Sequence, residues 1–223
     1  MKKIAIAIDG PAAAGKSTIA KIVAKRLHFT YIDTGAMYRC VTWYALEKGV
    51  SCQDEQAVCA LMPEIRIELK PDGMVLCNDH DVTKEIRSSI VAQNVSYVAS
   101  YKDVRLALVD LQRKMAETTS VVMDGRDIGT YVLPNAEVKI FQIASVEERA
   151  KRRYEENISK GMPCELSEIE EELKKRDYID SHRAFAPLCP AEDSILLDTS
   201  TMTIEEVSEA VIRIIHEKVG EIA

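Results

Sequence analysis

The stretch Gly10-Pro11-Ala12-Ala13-Ala14-Gly15-Lys16-Ser17 constrains this chain more than any other, because it satisfies G-x-x-x-x-G-K-[S/T]. Glycines let the backbone wrap so closely that several N–H groups point at one anion. A lysine then reaches the β- and γ-phosphates, and a hydroxyl is free to ligate Mg²⁺. The flanks fit that reading. Lys3 to Asp9 is a short Ile-rich run with the profile of a strand buried on both faces. After Gly15 the apolar residues switch to helical period, with Ile19, Ile22, Val23 and Leu27 on one stripe and Lys21, Lys25 and Arg26 outside it. Strand, glycine turn and helix open a βαβ unit. The loop Gly10, Pro11, Ala12, Ala13, Ala14, Gly15, Lys16, Ser17 and Thr18 is therefore the candidate site for ATP, with Ser17 as a candidate Mg²⁺ ligand.

Further apolar runs at Tyr31 to Asp33, Val121 to Met123, Val138 to Ile143 and Ile195 to Leu197 each lie between helical stretches. That alternation predicts an α/β fold: three layers, a mostly five-stranded parallel sheet with helices on both faces. Three S/T-x-x-E spacings, Ser145 with Glu148, Ser167 with Glu170 and Thr203 with Glu206, predict helix starts. Ile65 to Thr83 breaks the rhythm. Its apolar triplets, separated by Pro71-Asp72-Gly73 and Asn78-Asp79, predict a small antiparallel meander inserted at the edge of the main domain. Helical segments follow at roughly 85–99 and 102–117, and no repeat or flexible linker is visible.

Charge and cysteine usage narrow the function. The 223 residues carry a formal charge of −7, which leaves no electrostatic footprint for duplex nucleic acid or an anionic membrane. No window reaches the ~18 apolar residues of a membrane span. The six cysteines form no C-x-x-C pair and lie at no zinc spacing from a histidine, so the expectation is reduced thiols in a cytoplasmic protein. No exposed heptad or large apolar strip appears, and the expected state is a monomer. Among triphosphate-binding classes, a GTPase would carry N-K-x-D and a transport ATPase LSGGQ; neither string occurs. A short chain with an inserted lobe favours a small-molecule kinase.

A kinase must bring two anionic phosphates together, so it needs cations converging from separate elements. Asp33-Thr34-Gly35-Ala36-Met37-Tyr38-Arg39 follows the second strand, and Asp124-Gly125-Arg126-Asp127 follows a later one. Both lie where such sheets bind ligands. Arg176 and Arg183 are seven residues apart, two turns of a helix if the helix persists. Arg149, Arg152 and Arg153 cluster after Ser145, and a solvated surface charge is the competing reading for Arg152.

These pieces in order, IDGPAAAGKST, DTGAMYR, Asp103-Val104-Arg105, DGRDIGT and RDYIDSHRAFAPL, resemble the bacterial cytidylate (CMP/dCMP) kinases from Ile4 to about Ser200. The meander also looks like the insert that distinguishes that family from adenylate kinases. The resemblance implies a core of 1–62, 103–145 and 185–223, a nucleotide-monophosphate-binding insertion at about 63–102 and a helical lid at about 146–184. It implies transfer of the γ-phosphate of ATP to CMP or dCMP with Mg²⁺. Thr34, Arg39 and Arg126 would grip the acceptor phosphate, Ser96, Arg105 and Asp127 would read cytosine, and Asp180 would bind the sugar. Lys16, Arg126, Arg176 and Arg183 would act on the transferred phosphoryl group, Arg149 and Arg153 would cover ATP, and Asp124 would be a water-mediated Mg²⁺ partner. Two positions depart from the family pattern: Ala13 where many members have glycine, and Thr34 where others carry serine.

The chemistry of the base agrees with those roles. A carboxylate at Asp127 accepts from the cytosine amine, whereas uracil would turn a carbonyl oxygen toward it and leave the pair unmatched. A kinase of AMP, UMP, shikimate or dephospho-coenzyme A, or a nucleotide-dependent switch, stays open on the residues alone. His80, Asp81 and His182 read as turn and helix-end groups, and no step needs the thiols of Cys40 or Cys189.

Overall fold

A computed structural model describes residues 3–159 and 161–220. Five strands, β1 (Ala5–Asp9), β2 (Thr30–Asp33), β6 (Val121–Gly125), β7 (Val138–Ile143) and β8 (Ile195–Asp198), form one parallel sheet in the order β2-β6-β1-β7-β8. The central strand β1 pairs Asp9 with Gly125 on one side and with Phe141 on the other. It therefore ends between two neighbours, at the point where the winding of the sheet reverses. Side-chain alternation divides the core. Ile6 and Ile8 face α1 (Lys16–Leu27) and α8 (Ile204–Val219), meeting Ile19, Val23, Val211 and Ile215. Ala7, Ile32 and Met123 face the other way, packing with Val109 of α5 (Lys102–Thr118) and Val132. The five expected strands and the layers on both faces are present.

Between β2 and β6 run α2 (Thr34–Glu47), α3 (Glu55–Leu61), a three-stranded antiparallel sheet and α4 (Ser89–Val98). The small sheet, β3 (Ile67–Leu69), β4 (Val75–Cys77) and β5 (His80–Asp81), is the expected meander. Asn78 and Asp79 supply its tightest turn at φ 49° and 68°, both in the left-handed region that a two-residue type I′ turn requires. Its inner residues Ile67, Val75 and Cys77 share one core with Met37, Cys40 and Val41 of α2 and Val95 of α4. The insertion is thus packed directly on the helix that follows β2.

Caps sort the helix starts. Thr203 and Glu206 form a complete reciprocal capping box on α8, and Ser145 Oγ accepts from Glu148 N (3.2 Å) before α6 (Val146–Ser159). The third expected start is corrected. Helix α7 (Leu166–His182) has Glu165 as its N-cap residue with no side-chain cap bond, and Ser167 already lies inside its first turn. The helix begins two residues earlier than a Ser167 cap would place it, so the Ser167 side chain cannot cap it; Ile169 and Leu173 are buried against Ala12 and Ala150.

Candidate active site

The phosphate loop leaves β1 and enters α1 with two residues that only glycine suits. A Cβ on Gly10 (φ 147°) would lie 2.0 Å from the carbonyl oxygen of Gln142 on β7, and Gly15 (φ 90°) is the N-cap of α1. Ala13 takes φ 58°, a left-handed conformation that costs an L-residue roughly 1–2 kcal/mol. The departure from glycine at this position is therefore accommodated with strain. Lys16 is 4% exposed and donates to the carbonyl of Pro11 (2.7 Å). Burial, and then the charge of Arg126, hold its ammonium well below the usual lysine range. Ser17 Oγ donates to Asp124 Oδ2 (2.7 Å) and Tyr31 donates to Oδ1 (2.7 Å). Burial, then Asp33, raise the Asp124 carboxyl. Two oxygen donors meeting beside a phosphate loop fit Mg²⁺, which takes one or two protein oxygens and fills its shell with water and phosphate.

Beside the loop, the last residue of β1 organises the neighbouring strand end. Asp9 accepts from the N–H groups of Ile128 (2.8 Å) and Gly129 (2.7 Å) and so fixes the loop that carries Arg126 and Asp127. Burial pushes its carboxyl up to about 6.

The expected site residues converge. A single cavity of about 710 Å³ opens beside Lys16 and is lined by all of them except Gly10, Pro11 and Arg149. Ten lysines and arginines against six carboxylates line it, a local excess of positive charge in an acidic chain. The arginines fall into two kinds. Some are held by carboxylates: Arg105 and Arg183 (3.2 Å) grip the two oxygens of Asp127, and Arg126 Nε donates to Asp180 Oδ2 (2.9 Å). Burial alone would raise the Asp180 carboxyl, but Arg126, Arg176 and Arg183 outweigh it and lower it.

Others have no such partner. Arg39 and Arg176 make no hydrogen bond or ion pair with any described residue, and Arg176 Nε is buried without one. Burial and neighbouring cations depress both, Arg176 to about 9. Guanidinium groups that repel one another across a cavity make a wall suited to an anion. Ser96 Oγ, 6% exposed, is likewise buried without a partner at the wall formed by Arg105 and Asp127.

Arg149 corrects the expectation that it covers ATP. It is 4% exposed and lies outside the cavity, donating to the carbonyls of Ala144 (2.9 Å) and Ala12 (3.1 Å) and pairing with Asp177 (2.7 Å). It stands on the buried side of α6 with Ala150, whereas Arg152 and Arg153 face the cavity. Arg183 is the residue just past α7, yet it stays with Arg176 on the cavity wall. Sequence reading missed Arg87, which reaches from the insertion to Asp33 Oδ2 (3.2 Å), and undervalued Arg152, which donates to Thr199 O (2.6 Å). It also passed over the apolar end formed by Met202, Ile204 and Val207. No local pattern in the sequence points to these.

The family model described as cytidylate kinase matches residues 6–217. A cytidylate kinase of Geobacillus thermodenitrificans is 54% identical over 98% of this chain and 99% of its own. One of a Geobacillus species is 56% identical, covering 97% and 98%, and one of Leuconostoc mesenteroides is 50% identical, covering 99% and 100%. Among solved structures, an uncharacterized protein from Eubacterium ventriosum superposes with a TM-score of 0.56 over 97% of this chain and 99% of that one, at 15% identity. A Thermus thermophilus protein gives 0.50 over 99% and 100%, at 16% identity. Likeness this distant bears on the fold alone.

Proposed function

The chain belongs to the cytidylate kinase family, and on that premise we propose how its cavity moves the γ-phosphate of ATP to CMP or dCMP. The products are ADP and CDP or dCDP, and the enzyme is a nucleoside monophosphate kinase. The observation that supports this use of the cavity most directly is its continuity. One space joins Lys16 and the glycine loop to the Arg105–Asp127 pair, so two nucleotides fit end to end with their phosphates between.

On the donor side, the N–H groups of residues 13 to 17 cradle the triphosphate and Lys16 neutralises its β- and γ-oxygens. The adenine lies toward Met202 and Ile204, beside Arg152 and Arg153. Ser17 and Asp124 would hold Mg²⁺, which would supply positive charge against the phosphate oxygens and make ADP a better leaving group.

On the acceptor side, Thr34, Arg39 and Arg126 fix the phosphate of CMP, and Asp180 takes the sugar hydroxyl. Ser96, Arg105 and Asp127 read the cytosine. Reaction attaches a CMP phosphate oxygen to the γ-phosphorus as the bond to ADP breaks. Arg126, Arg176 and Arg183 screen the charge that spreads over the transferring group, Arg126 and Arg183 held in place by Asp180 and Asp127. Closure of the insertion (63–102) and of the helix pair (146–184) excludes water and prevents idle hydrolysis of ATP. We place the enzyme in the cytoplasm as a monomer. No described helix is long and apolar enough to cross a membrane.

An ADP-coupled assay with CMP, dCMP, UMP and AMP tests the reading. Turnover strongly favouring the cytosine acceptors supports it, and acceptor-independent hydrolysis overturns it. In the Asp127→Ala variant the preference for CMP over UMP should collapse; an unchanged ratio would remove Asp127 from base reading.

A further inference from the structure

The tip of the phosphate loop is fastened to the α6–α7 helix pair. Ala12 is buried with Ala150 of α6 and Ile169 and Leu173 of α7, so the tip belongs to that small core and not to the sheet's. Its peptide is held at both ends. The N–H of Ala12 donates to Asp177 Oδ1 (3.4 Å), and its carbonyl accepts from Arg149 Nη1 (3.1 Å). Arg149 and Asp177 pair with each other at 2.7 Å, and Arg149 Nε is anchored on Ala144 O. Arg149 is 4% exposed and the Asp177 side chain 22%, so removing Asp177 leaves a buried guanidinium uncompensated. The next residue, Ala13, is the strained one at φ 58°. A detached loop would relax there.

We propose that Arg149 and Asp177 are positioning residues: a clasp that holds the loop tip in its strained, phosphate-ready form and seats the neighbouring Arg176 at the cavity in the same act. Neither touches a substrate. The clasp makes ATP affinity and transfer rate depend on a pair outside the cavity. This inference rests on the kinase reading above.

The full-length chain with Asp177→Asn, Arg149→Lys, Arg149→Ala and the Arg149→Ala/Asp177→Asn double change tests it. Steady-state rates, calorimetric titration with a non-hydrolysable ATP analogue and thermal midpoints are measured together. Asp177→Asn should weaken analogue binding and raise the KM for ATP about tenfold, the scale of a lost charge-assisted hydrogen bond, while the KM for CMP stays within about twofold. Arg149→Lys should fall between the wild type and Arg149→Ala, and the double change should be no worse than the worse single one. Should Arg149→Ala fail to fold, the Asn and Lys variants decide. A lower thermal midpoint with analogue affinity intact in folded protein, equal losses for ATP and CMP, or additive single effects would overturn the clasp. Wild-type turnover on CMP checks the kinase reading separately, because analogue titration reads the clasp whether or not CMP is the acceptor.

Discussion

The two halves of the cavity are built by opposite means. The loop half comes from consecutive residues, and its requirements concern backbone: a Cβ at Gly10 would lie 2.0 Å from Gln142 O, and Ala13 takes φ 58°. The other half comes from side chains between Thr34 and Arg183, set by carboxylates that hold Arg105, Arg126 and Arg183 in place. A backbone site survives many side-chain changes but few added atoms. A side-chain site tolerates insertions in the loops between its members, and loses function when one charge is removed.

Substitutions can separate the halves, and the largest effect belongs to Lys16. Lys16→Ala should cut kcat by roughly 10³, as expected for losing a buried cation aimed at developing charge. CMP affinity, read by titration, should hardly move; a matching loss of CMP would show that the halves are not separable.

Asp9 lies between them and gives a pH test. Its folded value of about 6 stands above the ordinary 3.8. Below about pH 4 the carboxyl is protonated in both states. Between the two values only the folded chain keeps the proton, so this group's contribution to stability falls as pH rises and levels off above 6, a change of about 3 kcal/mol. Urea unfolding of the wild type and Asp9→Asn should diverge across that window in the variant's favour, and parallel curves would refute it. Arg39→Ala should weaken CMP binding about 10- to 100-fold and leave ATP nearly untouched. Equal loss of both would mean the acceptor phosphate lies elsewhere. The smallest effect is Ala13→Gly. Relief of the left-handed strain, offset by a more flexible unfolded chain, should raise stability by no more than about 1 kcal/mol. A lowered thermal midpoint would show that the loop is not strained at Ala13.

What could be read from sequence follows the same division. The strand, loop and helix of residues 5–27 are contiguous, and each local preference agrees with the tertiary role, so that unit was legible from its strand to the first turn of its helix. The arginines were legible as a set because DTGAMYR and DGRD sit at strand ends. Their pairing was not, since Asp127 collects Arg105 from α5 and Arg183 from beyond α7. Arg149 was misplaced for a related reason. A helical wheel puts it near Arg153, but which stripe of α6 is buried depends on Ala12 and Leu173, far away in the chain. Ser167 shows the limit of motifs: its spacing to Glu170 is right, yet the helix already runs through it from Leu166 with Glu165 at the cap. Arg87 carried no local sign, because its role comes only from the fold bringing the insertion to Asp33.

Arg39 and Arg176, left without partners, carry a consequence for the bench. A pocket that repels its own cations will welcome any small dianion, so sulfate or inorganic phosphate in the medium should compete with both nucleotides and slow the enzyme. Sodium chloride at equal ionic strength should do so far less, because ordinary screening reaches buried charges poorly.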